Sequence, residues 1–222
     1  GNYAATPEPH AQFAAMVSRL DAYVGQIRKE LTRLGIAENT LLIFTSDNGP
    51  HTEGGADPKF FANEQTLRGQ KRSLYEGGIR VPMIAEWKGT IQPGTKSFLP
   101  AAFWDMMPTF GQISGMDKKW IQPTDGVSIL PELIGKGKQK THKSLYWEFH
   151  EEGGRQAIRK GDWKLIKLKV NSDAPVYELY NLRTDPMETN NLAATKHALV
   201  SKLRKEMDKS RTTSGMFNFG IK

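Results

Sequence analysis

The feature that most constrains the fold of this chain is a near-continuous apolar run, TLLIFTS at residues 40–46, which stops at Asp47-Asn48-Gly49. Alternating residues would indicate a strand with one wet face, whereas a continuous run is typical of a strand buried on both faces, as in a parallel sheet covered by helices. Asp, Asn and Gly are also common turn residues. The run therefore predicts a buried strand, after which the chain either simply turns or presents two oxygen ligands.

A helix is predicted before this strand. Apolar residues recur at steps of three and four from Phe13 to Leu34, and Gly35 follows where a left-handed C-terminal cap belongs. Helix, short connection and buried strand form one unit of a layered α/β domain, in which ligands bind beyond the carboxyl ends of the strands. Asp47 and Asn48 follow the strand at that end. Because carboxylate and amide oxygens bind hard cations, the pair is a candidate Ca²⁺ or Mg²⁺ site.

Two further elements are predicted before residue 134. GIRVPMIAEW at residues 78–87 is apolar enough for a second strand, where Pro82 marks an edge or a bulge because it cannot donate to the ladder. DMMPTFGQISG at residues 105–115 predicts a short helix with Asp105 as its N-cap and Pro108 in its first turn. Residues 1–134 are therefore interpreted as part of an α/β domain.

The pattern changes after residue 134. GKGKQKTHK at residues 135–143 is interpreted as a solvated linker rather than a polyanion-binding patch. Short aromatic and β-branched runs follow, with a hairpin turn at Lys160-Gly161-Asp162. An apolar stripe from Leu199 to Met207 predicts a final helix, and the tail from Arg211 is expected to be poorly tied down. Residues 144–222 are predicted to form a small antiparallel α+β subdomain.

Composition excludes several classes of protein. The 222 residues are 38% hydrophobic and 25% charged, which is the balance of a globular protein, and no apolar run approaches the ~20 residues of a membrane span. The net charge of +7 is spread along the chain without a nucleic-acid motif. Since there is no cysteine, the chain holds no disulfide and no thiolate site. We therefore expect neither a membrane nor a nucleic acid as partner.

The most specific stretch is LRGQKRSLYEGGIRVP at residues 67–82. With NTLLIFTSDNGP upstream, it resembles the sulfatase family of the alkaline-phosphatase-like superfamily. There a buried strand ends in Ser-Asp-Asn-Gly and is followed by Arg-Gly-x-Lys and Tyr-Glu-Gly-Gly-x-Arg-x-Pro. Further similar pieces are FWDMMPTF, DGVSILPELIG, GDWKLI and YELYNLRTDPMETNNLA. The resemblance covers nearly the whole chain and implies part of a three-layer α/β/α core, followed by the small subdomain.

The resemblance implies a sulfuric ester hydrolase. In the family, a cysteine or serine becomes formylglycine, whose hydrated form attacks the sulfur, and a divalent cation, usually Ca²⁺ with Mg²⁺ as the alternative, holds sulfate oxygens. Asp47 and Asn48 match two of the cation ligands, and Lys71 matches the lysine that contacts the sulfate and the bridging oxygen. The chemistry agrees, because sulfuryl transfer needs positive charge where negative charge collects.

Three further side chains are candidates for substrate binding. His51 either lines the cleft or lies on an exposed loop. Glu148 and His150 alternate with aromatic residues, so their face of the strand either reaches the substrate or faces water. Arg80 and Glu76 are expected to brace the loop, and the two glycines after Glu76 are expected to permit a tight backbone path.

The chain also departs from the family pattern. It has no Cys-x-Pro-x-Arg or Ser-x-Pro-x-Arg signature, and the family's early acidic cation ligands have no counterpart. We therefore expect the nucleophile to lie outside these residues and this chain alone to be inactive. We also expect an exposed sheet edge and apolar face, which the N-terminal part of the same enzyme would cover. The expected substrate is a sulfated small molecule or glycan, with a carbohydrate sulfate preferred.

Two other functions stay open. A phosphoester or phosphonate hydrolase on the same architecture would use the cation in the same way, and the nucleophile would distinguish it. A non-catalytic module that binds a sulfated glycan is the alternative from a different class. The family resemblance also implies a periplasmic or secreted location, although no signal-peptide pattern is visible in the chain.

Overall fold

The computed structural model describes residues 7–61, 67–117 and 124–219. The helices in these ranges are α1 (Pro9–Arg33), α2 (Pro58–Phe61), α3 (Glu76–Ile79), α4 (Met106–Ile113), α5 (Leu130–Ile134) and α6 (His197–Ser210). The strands are β1 (Leu42–Thr45), β2 (Met83–Glu86), β3 (Leu145–Phe149), β4 (Arg155–Lys160), β5 (Trp163–Leu168) and β6 (Val176–Asn181). Short 3₁₀ turns lie at Ala37–Asn39, Glu53–Gly55 and Phe103–Asp105.

The described residues divide into two compact units, each built from separate segments. One unit takes its residues from 1–15, 46–82 and 143–222, and the other takes them from 16–45 and 83–142. The sequence predicted consecutive parts, 1–134 and 144–222 with a linker at 135–143, and that division stays a prediction.

A two-stranded antiparallel sheet lies in the unit of residues 16–45 and 83–142. β1 pairs with β2, so that Leu42 lies opposite Glu86 and Thr45 lies opposite Met83. Every residue of β1 is half-buried. The predicted strand is therefore confirmed, but the predicted burial on both faces is not met in the described part of the chain. The reason is that Phe44 of β1 and Ile84 of β2 line an open groove rather than a core.

The predicted first helix is confirmed, with its stop signal. Gly35 has the left-handed φ of 71°, and its amide and that of Ile36 donate to carbonyls of the last turn at 3.1 Å. None of the helix residues is fully buried, although the apolar stripe predicted a packed face. In this unit the stripe faces a groove of ≈ 360 Å³ whose apolar lining is Val17, Leu20, Val24, Leu42, Phe44 and Ile84.

Asp105 begins α4 as predicted, but it does not cap that helix with its side chain. Its fully buried carboxylate instead accepts the amides of Ala102 at 2.7 Å and Val127 at 2.8 Å. Nε2 of His142 lies 2.8 Å from the same carboxylate. The predicted N-cap hydrogen bond from Asp105 is therefore wrong. Its carboxylate is already bonded to three groups outside the helix and does not accept the helix amides.

An antiparallel sheet in the order β3-β4-β5-β6 forms the centre of the other unit. β4 and β5 are joined at Lys160-Gly161-Asp162 as predicted, and Gly161 has the positive φ of 58° that a tight hairpin needs. The predicted final helix, α6, covers one face of the sheet. The buried residues between them are Ile158, Leu165, Leu179, Leu203 and Met207.

The second face of this sheet is covered by the segment of residues 67–80. Leu74 of that segment is buried against Ala157, Ile166 and Tyr180 of the sheet. Burying one leucine side chain contributes about 1.5–3 kcal/mol. The segment that carries Lys71 is therefore fixed on a rigid sheet rather than left as a free loop.

The tail after α6 is better anchored than predicted. Nε of Arg211 lies 3.0 Å from Glu148, and its Nη2 donates to the carbonyl of Phe217 at 2.8 Å. Phe219 is buried and stacks on His150 with ring centroids 4.2 Å apart. The predicted loose tail is therefore wrong as far as residue 219, because two aromatic rings and one charged pair hold it on the sheet.

The second predicted strand is shorter than expected. β2 covers Met83–Glu86, whereas Glu76–Ile79 forms the helix α3, so the stretch at 78–87 begins in a helix and Pro82 lies before the strand. None of the helices in the described ranges is both long enough and apolar enough to cross a bilayer.

Candidate functional site

Backbone hydrogen bonds bring the Asp-Asn-Gly-Pro stretch to the basic segment. The amide of Gly49 donates to the carbonyl of Gly78 at 2.9 Å, and the amide of Lys71 donates to the carbonyl of Pro50 at 2.8 Å. We call this contact between residues 47–50 and 67–80 the loop junction. It places the Asp47-Asn48 pair and Lys71 on adjoining backbone.

Three glycines make the loop junction possible. A Cβ on Gly49 would lie 1.8 Å from the carbonyl oxygen of Gly77. A Cβ on Gly77 would meet three carbonyl oxygens at 2.5–2.6 Å, and one on Gly78 would meet the carbonyl oxygen of Ser73 at 2.2 Å. The tight backbone path predicted for the paired glycines is therefore confirmed, and the same reason extends to the glycine of Asp-Asn-Gly.

Asp47 and Asn48 present oxygen atoms at the end of β1. The side chain of Asp47 is exposed, and Asn48 is half-buried. Nδ2 of Asn48 donates to the carbonyl of Gly49 at 2.9 Å. The NH₂ group of the amide donates this bond, and Oδ1 is the atom of the same side chain that can bind a cation.

This donor set fits a hard cation in type but not in number. Ca²⁺ takes about 6–8 oxygen ligands. Within the described ranges, no group of three or more His, Cys, Asp or Glu residues could hold a metal ion. Asp47 and Asn48 can therefore supply part of a coordination shell, and the remaining ligands have to come from elsewhere.

The ammonium of Lys71 is held by a carboxylate that the sequence did not single out. Nζ lies 3.2 Å from Glu53, and Nη2 of the neighbouring Arg72 lies 3.4 Å from the same carboxylate. The hydrogen bond from Lys71 holds the pKa of Glu53 below its ordinary value, with further lowering by the charges of Lys71, His51 and Arg72. The short segment of residues 51–55 thus faces the basic pair directly.

Arg72 is strained at this point. It has a φ of 74°, which non-glycine residues rarely adopt. Nη1 of Arg155 in β4 donates to the carbonyl of Arg72 at 2.6 Å. A backbone outlier of this kind costs about 1–3 kcal/mol and persists where the surroundings hold it, often at functional sites.

His51 has a defined ring orientation. The amide of Glu53 donates to Nδ1 at 3.0 Å. Because Nδ1 accepts this bond, the neutral ring carries its proton on Nε2. The imidazole is 39% exposed, so this Nε2–H can donate to a ligand from the same segment that carries Glu53.

A second, fully buried ion cluster lies where the segment of residues 67–80 meets the sheet. Nζ of Lys164 in β5 is 2.9 Å from Glu76 and 2.9 Å from Glu188. Glu188 also accepts the amide of Glu76 at 2.6 Å. Burial raises the pKa of Glu188 even though Lys164 and the Glu76 amide act against it. Glu76 therefore braces the segment, as predicted, and the guanidinium of Arg80 lies 3.9 Å from its carboxylate.

Arg68 fixes the other end of the segment. Its Nη1 donates to the hydroxyl of Tyr180 at 2.9 Å and to the carbonyl of Glu188 at 2.7 Å. Its guanidinium also lies 3.9 Å over the ring of Tyr75. Burial and the hydrogen bond to Glu178 raise the pKa of Tyr180 to about 12. Arg68 is thus occupied structurally by the sheet and by Tyr75, whereas the ammonium of Lys71 contacts a carboxylate of the loop at residues 51–55.

Glu148 and His150 lie together on β3 and just after it. The carboxylate of Glu148 accepts from the Tyr146 hydroxyl at 2.5 Å, and it lies 2.9 Å from Nε2 of His150 and 3.0 Å from Nε of Arg211. Burial acts to raise the pKa of Glu148, but these hydrogen bonds lower it below its ordinary value. Both side chains have partners within the unit, and their predicted role in substrate binding stays a prediction.

Sequence reasoning therefore named Asp47, Asn48 and Lys71, which the loop junction brings onto adjoining backbone. It missed Glu53 and the two buried partners of Glu76, Lys164 and Glu188. One signal was available for Lys164. In WKLIKL of β5 it shares a face with Ile166, because side chains alternate along a strand. No local signal distinguished Glu53 from any other loop carboxylate.

Comparison with known sequence families covers most of the chain. Residues 2–116 match the family described as Sulfatase, and residues 68–213 match the family described as N-sulphoglucosamine sulphohydrolase, C-terminal. Each match includes more than half of the 222 residues.

Two curated relatives illustrate the similarity. The chain is 30% identical over 234 residues to N-acetylgalactosamine-6-O-sulfatase of Bacteroides thetaiotaomicron, which covers 92% of this chain and 44% of the relative. It is 34% identical over 204 residues to human (Homo sapiens) arylsulfatase A, covering 81% of this chain and 38% of the relative. The chain thus spans less than half the length of these relatives.

Solved structures give the same result. Ps i-CgsB superposes with a TM-score of 0.74 at 30% identity, over 93% of this chain and 46% of that one. A second structure of that protein is a complex with k-i-k-neocarrahexaose. Phosphonate monoester hydrolase of Agrobacterium radiobacter superposes with a TM-score of 0.61 at 23% identity, over 87% and 39%. At that identity the likeness shows the shared α/β fold alone.

Proposed function

This chain belongs to the sulfatase family, and from that premise we propose that it is the part of a sulfuric ester hydrolase that supplies two cation ligands and the lysine facing the sulfate. The observation that carries the proposal is the loop junction. Hydrogen bonds of 2.8 and 2.9 Å bring residues 47–50 onto the segment that carries Lys71. The two proposed oxygen ligands, Asp47 and Asn48, therefore lie on backbone that is hydrogen-bonded to the segment of Lys71.

In this proposal Asp47 and Asn48 bind a divalent cation, Ca²⁺ by family resemblance or Mg²⁺. When bound, such a cation neutralises negative charge on the sulfate oxygens. The exposed carboxylate of Asp47 and Oδ1 of Asn48 are the atoms that would hold it. Because these two residues provide too few ligands alone, the rest of the shell is assigned to residues outside this chain.

Lys71 contributes the other positive charge. Its ammonium is compact and carries three donors, so it can contact a sulfate oxygen and the bridging oxygen together. Its side chain is 34% exposed, which keeps it accessible to a ligand. Positive charge placed here stabilises the departing oxygen as it gains negative charge.

The nucleophile is assigned to the N-terminal part of the same enzyme. This chain contains no cysteine and no Ser-x-Pro-x-Arg signature that could be converted to formylglycine. The open apolar groove on α1, β1 and β2 supports a covering segment, since exposed apolar area of this kind marks an interaction surface. We assign the N-terminal part of the enzyme to that surface.

A carbohydrate sulfate is the preferred substrate. The similarity to a sulfatase named for N-acetylgalactosamine 6-sulfate and to a structure solved with a neocarrahexaose supports this preference. The periplasmic or secreted location implied by the family resemblance stays a prediction.

The test uses the longest natural polypeptide that contains these 222 residues. We expect it to release sulfate from a sulfated sugar with Ca²⁺ present, to lose this activity with a chelator, and to hydrolyse 4-nitrophenyl sulfate faster than 4-nitrophenyl phosphate. The isolated 222-residue chain is expected to release none. Faster phosphate release would replace the proposal with the phosphoester alternative.

The ligand role of Asp47 has a matched control. Asp47→Ala is expected to raise the Ca²⁺ concentration needed for half-maximal rate, because it removes a charged ligand. Asp173→Ala removes the same charge from an exposed turn of the same unit and is expected to change nothing. An equal Ca²⁺ requirement in both variants would remove Asp47 from the site.

A further inference from the structure

Three basic side chains converge on a single carboxylate beside the loop junction. Glu53 lies 3.2 Å from Nζ of Lys71, 3.4 Å from Nη2 of Arg72 and 3.8 Å from Nδ1 of His51. Lys71 and Arg72 place two positive charges around one negative charge, and this arrangement favours an anion between them.

The geometry of these contacts is loose. Bonds of 3.2–3.4 Å are longer than the 2.7–2.9 Å of a well-made charge-assisted hydrogen bond. The carboxylate is also 22% exposed, so water reaches it. Partly exposed pairs of this kind contribute little stability, because water replaces each partner at small cost.

The backbone behind Glu53 lends itself to displacement. The 3₁₀ turn Glu53–Gly55 is closed by one long bond of 3.5 Å from Ala56 to Glu53. Gly54 and Gly55 have φ values of 70° and 83°. Glycine passes between backbone conformations with little steric resistance, so the carboxylate can leave while Lys71 stays fixed by its bond to Pro50.

We propose that Glu53 is a displaceable internal anion that occupies the sulfate position beside Lys71 and Arg72 until a sulfated substrate replaces it. This inference rests on the proposed function, because it takes Lys71 as the residue that faces the sulfate. The carboxylate stands in for two of the three non-bridging oxygens of a sulfate ester. Glu53 thus lowers the affinity for every sulfate ligand and prevents the basic pair from holding weaker anions.

The opposite role, a permanent brace that orients Lys71, makes different predictions. If Glu53 competes with sulfate, sulfate can bind only the fraction of molecules in which Glu53 has left the site, and the apparent affinity for sulfate is reduced accordingly. Removal of Glu53 therefore tightens binding of sulfate and lowers KM without lowering kcat. Removal of a brace lowers kcat and does not tighten sulfate binding.

The experiment measures the affinity of the longest natural polypeptide for inorganic sulfate by calorimetry with Ca²⁺ present. Glu53→Gln is expected to bind sulfate at least about five-fold more tightly than the wild type, within the ordinary range of coupling between two ligands. Glu53→Asp, whose carboxylate is one methylene shorter, is expected to give an intermediate gain and serves if the Gln variant folds poorly. Unchanged or weaker sulfate binding in both variants would overturn the inference.

Two controls separate this inference from the proposed function. Glu151→Gln removes the same charge from an exposed position of the same unit and is expected to leave sulfate affinity unchanged; a gain equal to that of Glu53→Gln would attribute the effect to net charge and overturn the inference. Lys71→Met is expected to weaken sulfate binding at least about ten-fold. If Lys71→Met binds sulfate as tightly as the wild type, the proposed role of Lys71 is wrong, whatever the result for Glu53→Gln. If Lys71→Met binds more weakly as expected but Glu53→Gln does not bind more tightly, only the inference about Glu53 is wrong.

Discussion

Two lysines of the same unit meet carboxylates in opposite surroundings. Lys164 has no exposed side-chain surface and lies 2.9 Å from both Glu76 and Glu188. The side chain of Lys71 is 34% exposed, and its ammonium lies 3.2 Å from the carboxylate of Glu53. The chemical groups are the same, and the difference is the access of water.

The difference decides what each pair can do. A buried charge that loses its partner has no water to replace it, so the cluster around Lys164 has to stay together in every state of the folded protein. A half-exposed lysine can exchange one anion for another at small cost. The buried cluster therefore fixes the segment of residues 67–80 on the sheet, and the exposed lysine is available for chemistry.

The largest expected effect comes from breaking the buried cluster. Lys164→Met leaves two carboxylates in a dry site and is expected to cost about 3–5 kcal/mol of the free energy of unfolding. Urea unfolding of the longest natural polypeptide measures this. Lys205→Met, at an exposed position of α6, is the control and is expected to change little. An unfolding midpoint like that of the control would show that the cluster does not hold the segment.

Removing the exposed lysine, Lys71, is expected to lower activity rather than stability. Lys71→Met should lower kcat/KM for sulfate release by about 10²–10³, the range for loss of one donor to a developing anion, and leave the urea midpoint almost unchanged. Lys59→Met carries the same charge change at an exposed residue of α2 and should keep full activity. The comparison breaks down if Lys71→Met unfolds as readily as Lys164→Met.

The smallest expected effect concerns pH. The contributions of Glu188 and Glu53 to the free energy of unfolding should change with pH in opposite directions. Burial raises the pKa of Glu188, so the folded state keeps that proton longer and its contribution to stability falls as pH rises through the raised pKa. The bond from Lys71 lowers the pKa of Glu53, so its contribution is present above the ordinary range and is lost as pH falls through the lowered pKa.

The measurement is the free energy of unfolding from about pH 3 to pH 7, a range that spans glutamate titration. Subtracting the curve of Glu188→Gln from that of the wild type should leave a difference that decreases with pH. Subtracting the curve of Glu53→Gln should leave one that increases. Two slopes of the same sign would mean that the two carboxylates do not differ in the way their burial indicates.

Local features of the fold were predictable from the sequence. The helix ending at Gly35, the hairpin at Gly161 and the stripe of α6 each depend on residues a few positions apart, and each is found. Asp47, Asn48 and Lys71 were named as site residues through motif resemblance. The loop junction then supplied the physical reason that these motifs occur together.

The rest depends on contacts between distant residues, which local patterns do not encode. Lys164 and Glu76 are 88 residues apart in sequence, and Glu76 and Glu188 are 112 apart. The half-burial of β1 depends on what lies against Phe44, which its own apolar run cannot reveal. The tail after Arg211 has a loose composition, yet the stacking of Phe219 on His150 holds it.

The loop junction also limits how this chain can vary. Beyond the backbone of its own helix, Gly25 has nothing within 4 Å of where a Cβ would stand, and it lies in α1, where alanine is the better helix former. Gly49, Gly77 and Gly78 have backbone atoms within 1.8–2.6 Å of that place. A population of variants that still fold should therefore drift freely at Gly25 and stay fixed at the other three, so that the loop junction tolerates no side chain at its closest approaches.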